Sequence, residues 1–227
     1  MISSLSINDI SGYTSRQLNY FFPDNDIVDL GDYKDTVKLA LDRLEFCYKH
    51  VTLKNYFDGS EVVFNHLHSD QYLMYLWFLG NTIWKEKQDS ALCNKLYYLN
   101  KSLHAFDCMF DTMLPEIFLV FHGAGTMLGK ANYGEFFVVL QGCTIGRNRG
   151  KYPVLGKGVA LTAHCSLIGE CNVGDLVTIS SYTNIIDKNI GSNNVVFKNN
   201  NGITETKKSL NPFAQTFFNV KIETDNI

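Results

Sequence analysis

Leu155, Leu161, Leu167, Val173, Ile179 and Ile185 recur at strict six-residue intervals. Four residues after each of the first five come Val159, Cys165, Cys171, Val177 and Thr183, all small or β-branched. A helix repeats every ~3.6 residues and a strand alternates every ~2, so neither holds a six-residue phase. A chain that turns a corner every six residues does: each short strand points one aliphatic side chain inward, and glycine or polar residues serve the corners. Three such sides make a coil of about 18 residues, whose parallel strands lie roughly 4.8 Å apart. The spacing predicts Leu155 over Val173, Leu161 over Ile179 and Leu167 over Ile185. An ordinary β-sandwich would have to keep this phase by coincidence.

The phase slips at both ends. Val139 and Ile145 are again six apart, but Gly146–Pro153 (GRNRGKYP) intervenes before Leu155. After Ile185 the next unit begins five residues on, at Ile190-Gly191, and Val196 closes it. Upstream the chain has another character. Of its 17 glycines, only four (12, 31, 59 and 80) precede residue 121, and a rise in turn residues marks the end of long helices. Val37, Leu41, Leu44 and Tyr48 step by three and four residues, as do Leu92, Leu96, Leu99 and Leu103 behind the cap residue Asp89. Between them, Ser69 or Asp70 caps an apolar helix running through Trp77 to about Trp84. A short helix around Ser15–Phe22 stops at Pro23, and Asn55–Ser60 reads as a loop turning at Asp58-Gly59. Past Lys198, an Asn-rich turn precedes Phe213, Phe217 and Phe218. These aromatics are expected to fold back over an open end of the coil, where a bare edge invites aggregation. The expected organisation is a helical N-terminal domain over 1–112, the coil over 113–197, and a tail over 198–227 packing back on it.

Composition narrows the function classes. Twenty Lys and Arg against 23 Asp and Glu give a net charge of −3, without the basic excess of a nucleic-acid-binding protein. The longest apolar run, Tyr72–Gly80, is nine residues, whereas a membrane-spanning helix needs about 20. MISSLSINDI has neither the charged start nor the long apolar stretch of a secretory signal. The six cysteines form no CxxC pair and no framework spacing, so they read as free thiols in a reducing cytoplasm.

Motifs around the coil follow a fixed order: His122-Gly-Ala-Gly-Thr-Met-Leu-Gly129, Val139-Leu-Gln-Gly-Cys-Thr-Ile-Gly146, the loop, Pro153-Val-Leu-Gly-Lys-Gly158, Leu161-Thr-Ala163, Leu167-Ile-Gly169 and Val173-Gly174. In this order they resemble the hexapeptide-repeat acyltransferases, serine O-acetyltransferase above all. Trp77–Trp84 also resembles the last substrate-side helix of that family, so the likeness covers roughly residues 75–195. The resemblance implies an α+β fold, mainly β in its second part: a helical N-terminal portion followed by a left-handed parallel β-helix. It also implies a homotrimer, with active sites between neighbouring subunits and acetyl-CoA along the coil wall. Left-handed connections depart from the usual right-handed crossover, and the six-residue period alone does not fix the hand.

Three positions depart from the family pattern. Phe121 stands where the family has an aspartate before the histidine. Tyr152 replaces a histidine before the loop proline, with Lys151 in place of arginine, and Lys130 replaces a glutamate. In the family these positions hold the amino-acid acceptor and orient the base. The departures therefore bear on the acceptor and leave the acetyl-donor logic intact.

Moving an acetyl group from a thioester to a hydroxyl needs a base for the hydroxyl proton, and an imidazole titrates near neutral pH. His122 is the candidate, acting directly in a ternary complex and returning the proton to the departing thiolate. Tyr152 and Lys151 are candidate acceptor contacts, and the resemblance implies Asp58 as an acidic one, since it stands at about the family's spacing before the substrate-side helix. The resemblance implies Gly146, Arg147, Ala163 and Ser181 as candidates for acetyl-CoA, Ala163 and Ser181 matching corner positions that contact the CoA arm in the family. Small corner residues let a pantetheine arm lie close, and Arg147, Arg149 and Lys151 supply positive charge to a phosphate or an anionic acceptor. His164 reads as solvent-facing, and Cys165 and Cys171 as compact inward fillers.

The expected activity is acetyl-CoA-dependent O-acetyl transfer to a small-molecule acceptor, with no metal and no nucleic-acid or membrane partner. A sugar O- or N-acetyltransferase of cell-surface polysaccharide biosynthesis is the alternative within enzymes. A hydratase resembling γ-type carbonic anhydrase needs three histidines on adjacent coil faces, two of them five residues apart. Only His122 and His164 are at hand, and position 169 is glycine. The pair His66 and His68 lacks a third nearby ligand. A non-catalytic scaffold is the remaining alternative.

Overall fold

The computed structural model describes residues 1–224. Helix α1 (Ile7–Phe21) begins well before the expected Ser15, because Ser6 accepts a hydrogen bond from the Asp9 amide and caps it. It ends ahead of Pro23. After a 3-10 turn, α2 (Lys34–Tyr48) buries Val37, Leu41, Leu44 and Tyr48. Helix α3 (Ser69–Lys87) is buried without a break from Asp70 to Ile83, and no side chain caps its start. Helix α4 (Ser90–His104) is capped by Asp89, which accepts from the Leu92 amide. A two-residue parallel pair, β1 (Ile2–Ser3) with β2 (Val63–Phe64), ties the N-terminus to the approach to α3.

From residue 118 the chain is a three-sided parallel β-solenoid of about 4 turns. The first face stacks β3 (Phe118–Val120), β5 (Phe137–Val139), β8 (Ala160–Leu161), β11 (Thr178–Ile179) and β13 (Asn194–Lys198). The second stacks β4 (Met127–Leu128), β6 (Thr144–Gly146), β9 (Ser166–Ile168) and β12 (Asn184–Ile186). The third pairs β7 (Val154–Leu155) with β10 (Asn172–Val173), extended by single bridges from Asn132 to Val154 and from Val173 to Ile190.

All three expected stackings occur: Leu155 pairs with Val173, Leu161 with Ile179 and Leu167 with Ile185. The six aliphatics of the repeat are buried, each contributing about 1.5–3 kcal/mol of transfer free energy. The slips are equally orderly. Ile145 still pairs with Leu167 across the Gly146–Pro153 excursion, and Val196 pairs with Ile179. At one corner of the third face, Gly134, Gly156 and Gly174 stack so closely that a Cβ on Gly134 would sit 2.4 Å from the Gly156 carbonyl. This column accounts for part of the glycine enrichment.

The helices dock on the first coil. Trp77 and Phe78 of α3 place their rings 5.2 and 5.4 Å from that of Phe118. The tail differs from expectation. The Phe213 amide donates to Thr178 Oγ1, Phe217 packs on Phe121, and Phe218 on Phe136. The aromatics thus cover the flank of the first face, where it meets the helices, instead of the open end. The last parallel strand is edged by β14 (Thr204–Lys208), antiparallel to β13. Its TETKK sequence carries lysines that discourage further pairing. Among the described residues, no helix is long and apolar enough to cross a membrane.

Candidate active site

Turns from the first to the second face repeat in register. The Gly142 amide donates to the Ala124 carbonyl, His164 to Gln141 and Tyr182 to Ala163. Ala124, Gln141, Ala163 and Ser181 therefore form one column at this corner. Gly125, Gly142, His164 and Tyr182 form the next, all with positive φ. Gly142 is bare by necessity: a Cβ there would lie 2.3 Å from His164 Nδ1. The His164 imidazole stacks on the Tyr182 ring at 5.1 Å, exposed to solvent.

In the first coil this turn is longer, and the extra length carries His122 and Gly123. His122 has φ 54, a left-handed conformation costly for a side-chain-bearing residue. Asp70, at the start of α3, holds it there. The carboxylate accepts from the His122 amide at 2.9 Å and from the Gly123 amide at 3.3 Å, and its Oδ2 lies 3.7 Å from His122 Nδ1. Asp70 is buried, whereas the His122 side chain is 65% exposed. The Phe121 ring leans on the imidazole at 4.1 Å and passes the contact on to Phe217.

His122 opens onto a cavity of about 460 Å³, lined among others by Asp70 and Leu73 of α3, Leu103 and His104 of α4, and Gln141 of the second coil. Burial pushes the His104 imidazole down to about 4. Its Nδ1 lies 2.8 Å from Asn100 Oδ1, and the Asn100 amide nitrogen donates to the Leu73 carbonyl. Gln141 Oε1 is buried without a hydrogen-bond partner among the described residues. A larger cavity of about 670 Å³ lies under the tail around Pro212 and Ile222. Its described lining contains no histidine and no cysteine.

Ala124 and Gln141 line the His122 cavity and head the corner column that runs on, away from His122, through Ala163 to Ser181. Gly146, Arg147, Lys151 and Tyr152 lie at the opposite edge of the second face, on the excursion that leaves β6. Arg147 and Tyr152 are exposed, and Lys151 pairs with Glu170 at 3.3 Å. Lys130 pairs with Asp111 at 3.0 Å. Asp58 lies outside the His122 cavity. Its Oδ1 accepts from the Ser60 amide and hydroxyl and from the Glu61 amide, which lowers its pKa. All six cysteines are free and buried. Among the described residues, no group of three or more His, Cys, Asp or Glu could hold a metal ion.

Two cavity residues escape a reading of the sequence. Asp70 reads as a helix cap, and its contact with His122 spans 52 residues. His104 reads as a featureless helical histidine. The one available signal is Asn100 four residues earlier, a spacing that lets the two side chains meet on one helix face.

No protein-family model matches the chain, and no curated protein is similar to it in sequence. Solved structures do match in fold. A serine acetyltransferase from Neisseria gonorrhoeae in complex with serine is 14% identical, covering 87% of this chain and 83% of that one with a TM-score of 0.64. One from Vibrio cholerae O1 biovar El Tor N16961 is 12% identical, covering 90% and 80% with a TM-score of 0.66. A serine acetyltransferase in complex with CoA is 14% identical, covering 83% and 82% with a TM-score of 0.63. The chain thus has the fold of these enzymes, four helices leading into a parallel solenoid, consistent with a left-handed hexapeptide-repeat β-helix.

Proposed function

We propose that the protein is an acetyl-CoA-dependent O-acetyltransferase with His122 as general base. The observation that carries this reading is an exposed imidazole, fixed by a buried carboxylate, on a cavity at the junction of helices and coil. The acceptor oxygen attacks the thioester carbonyl as His122 takes its proton. The carbon–sulfur bond then breaks, and His122 returns the proton to the thiolate, giving ester and CoA thiol. The Asp70 carboxylate lies 3.7 Å from Nδ1 of the ring that carries the proton in between.

Ala163 and Ser181 would line the pantetheine arm. Their column continues from Ala124 and Gln141, so an arm laid along this corner would lead its thioester toward His122. Gly146, Arg147, Lys151 and Tyr152 would serve the cavity of a neighbouring subunit in a cytoplasmic homotrimer. Within one chain the width of the second face separates them from His122. A sugar hydroxyl or amino group is the second reading for the acceptor, favoured by Phe121, Lys130, Lys151 and Tyr152 at positions where the resembled family binds an amino acid.

The test is release of CoA thiol from acetyl-CoA with L-serine and with a panel of amino sugars. The His122→Ala protein should lose at least about 100-fold in rate. A folded variant that transfers acetyl at the wild-type rate would overturn the role of His122. Titration with acetyl-CoA separates enzyme from scaffold, because a scaffold has no need to bind it.

A further inference from the structure

The second imidazole of the cavity has a fixed chemical identity. Asn100 is buried and spends its amide nitrogen on the Leu73 carbonyl, so its Oδ1 faces His104 Nδ1 as an acceptor. His104 Nδ1 must therefore carry the ring proton, which leaves Nε2 with a bare lone pair. Among the described residues the ring's one hydrogen bond is at Nδ1, and the ring borders the same cavity as His122 and Asp70. Burial keeps the ring neutral through the physiological range. A neutral, proton-locked imidazole is a poor base but a dependable hydrogen-bond acceptor. The cavity thus pairs an exposed histidine that can exchange protons with a half-buried one that can only receive a donor.

We propose that His104 selects the acceptor: its Nε2 takes a hydrogen bond from a second donor, hydroxyl or amino, carried close to the reacting hydroxyl. The substrate class is accordingly a diol or an amino alcohol, and a simple monohydroxy compound is disfavoured. The inference rests on the acetyl-transfer reading for its kinetic arm only, because recognition by Nε2 does not require turnover. A ring acceptor left unpaired by an analogue without the donor costs enough to discriminate about 5- to 150-fold.

The kinetic arm measures CoA release with two pairs that differ in one donor: L-serine against 3-hydroxypropanoate, and D-glucosamine against 2-deoxy-D-glucose. The wild-type protein should favour the donor-bearing member of at least one pair by at least about tenfold in kcat/KM. His104→Phe keeps a ring against Tyr72 and should bring that ratio within about threefold, while His104→Gln, which retains an acceptor oxygen, should restore part of it. The two pairs distinguish an amino-acid-like acceptor from a sugar. The binding arm follows the ¹⁵N resonance of His104 Nε2 on titration with L-serine and D-glucosamine, where a hydrogen bond to the lone pair moves the shift upfield.

A moved Nε2 resonance without acetyl transfer would overturn the enzymatic reading and leave His104 as a ligand contact. Transfer with an unmoved resonance, or with an unchanged ratio in His104→Phe, would overturn the role of His104 alone. An Nε2 unmoved by either probe, with no transfer, would overturn both.

Discussion

Asp70 grips His122 by its backbone and its side chain together: Oδ2 accepts the amide proton at 2.9 Å and lies 3.7 Å from Nδ1. One buried carboxylate thus stabilises both a left-handed backbone and the orientation of a solvent-exposed ring. Asp70→Asn keeps an oxygen for the His122 amide but loses the charge and the acceptor of the weaker Gly123 bond. Steady-state kinetics of this variant should show kcat down about tenfold or more, with the KM for acetyl-CoA little changed. Equal losses of binding and rate would instead mean that the turn has collapsed.

The coil was legible because its physics is local and periodic. Each six-residue step places one aliphatic inward, so Leu161 over Ile179 follows from counting. The site was not legible for the opposite reason. Asp70 and His122 meet across 52 residues, and no local period encodes which turn of α3 faces which corner. Leu103 illustrates the ambiguity: its spacing marks it as one more core leucine, yet it borders the cavity and is 37% exposed. The tail aromatics were recognisable as packing residues, but their target, the flank around Phe121 and Phe136, depends on long-range pairing with the segment after α2, where Val51 bridges to Phe218 and the Thr52 amide donates to the Phe217 carbonyl.

Leu161 tests the stacking energetics. It is fully buried, with Val139 on one side and Ile179 on the other. Leu161→Ala should cost about 2–5 kcal/mol in denaturant unfolding, because adjacent coils cannot close over the cavity. Ile186→Ala, at a position 53% exposed, should stay within about 0.5 kcal/mol. Equal effects at the two sites would contradict the inward assignment.

The cysteines offer a probe of coil integrity. All six are free and buried, and burial pushes the thiols of Cys47 and Cys93 up to about 12. The thiolate is the reactive form. Because all six thiols are buried away from the reagent, an aromatic disulfide should titrate almost none of them in the native protein and all six in denaturant. Rapid reaction of several native thiols would show that the core opens readily.

His104 gives stability a pH dependence of definite sign. Burial is the main cause that lowers its pKa from 6.5 to about 4, opposed by the Asn100 hydrogen bond and the Asp70 charge. Between those values the unfolded chain binds a proton that the folded chain refuses. Stability must then fall as pH drops through this window, by an amount on the order of 3 kcal/mol in total. Other histidines and the carboxylates also titrate on acidification, so the wild-type curve alone does not isolate the effect. The difference from His104→Gln does, since those other groups are common to both proteins. Between pH 7.5 and 5, wild type should lose about 2 kcal/mol more than the variant in chemical denaturation. A constant gap would mean that the ring takes up its proton in the folded state. His104 Nε2 would then be a donor at low pH, and selection of a donor-bearing acceptor should weaken over the same range.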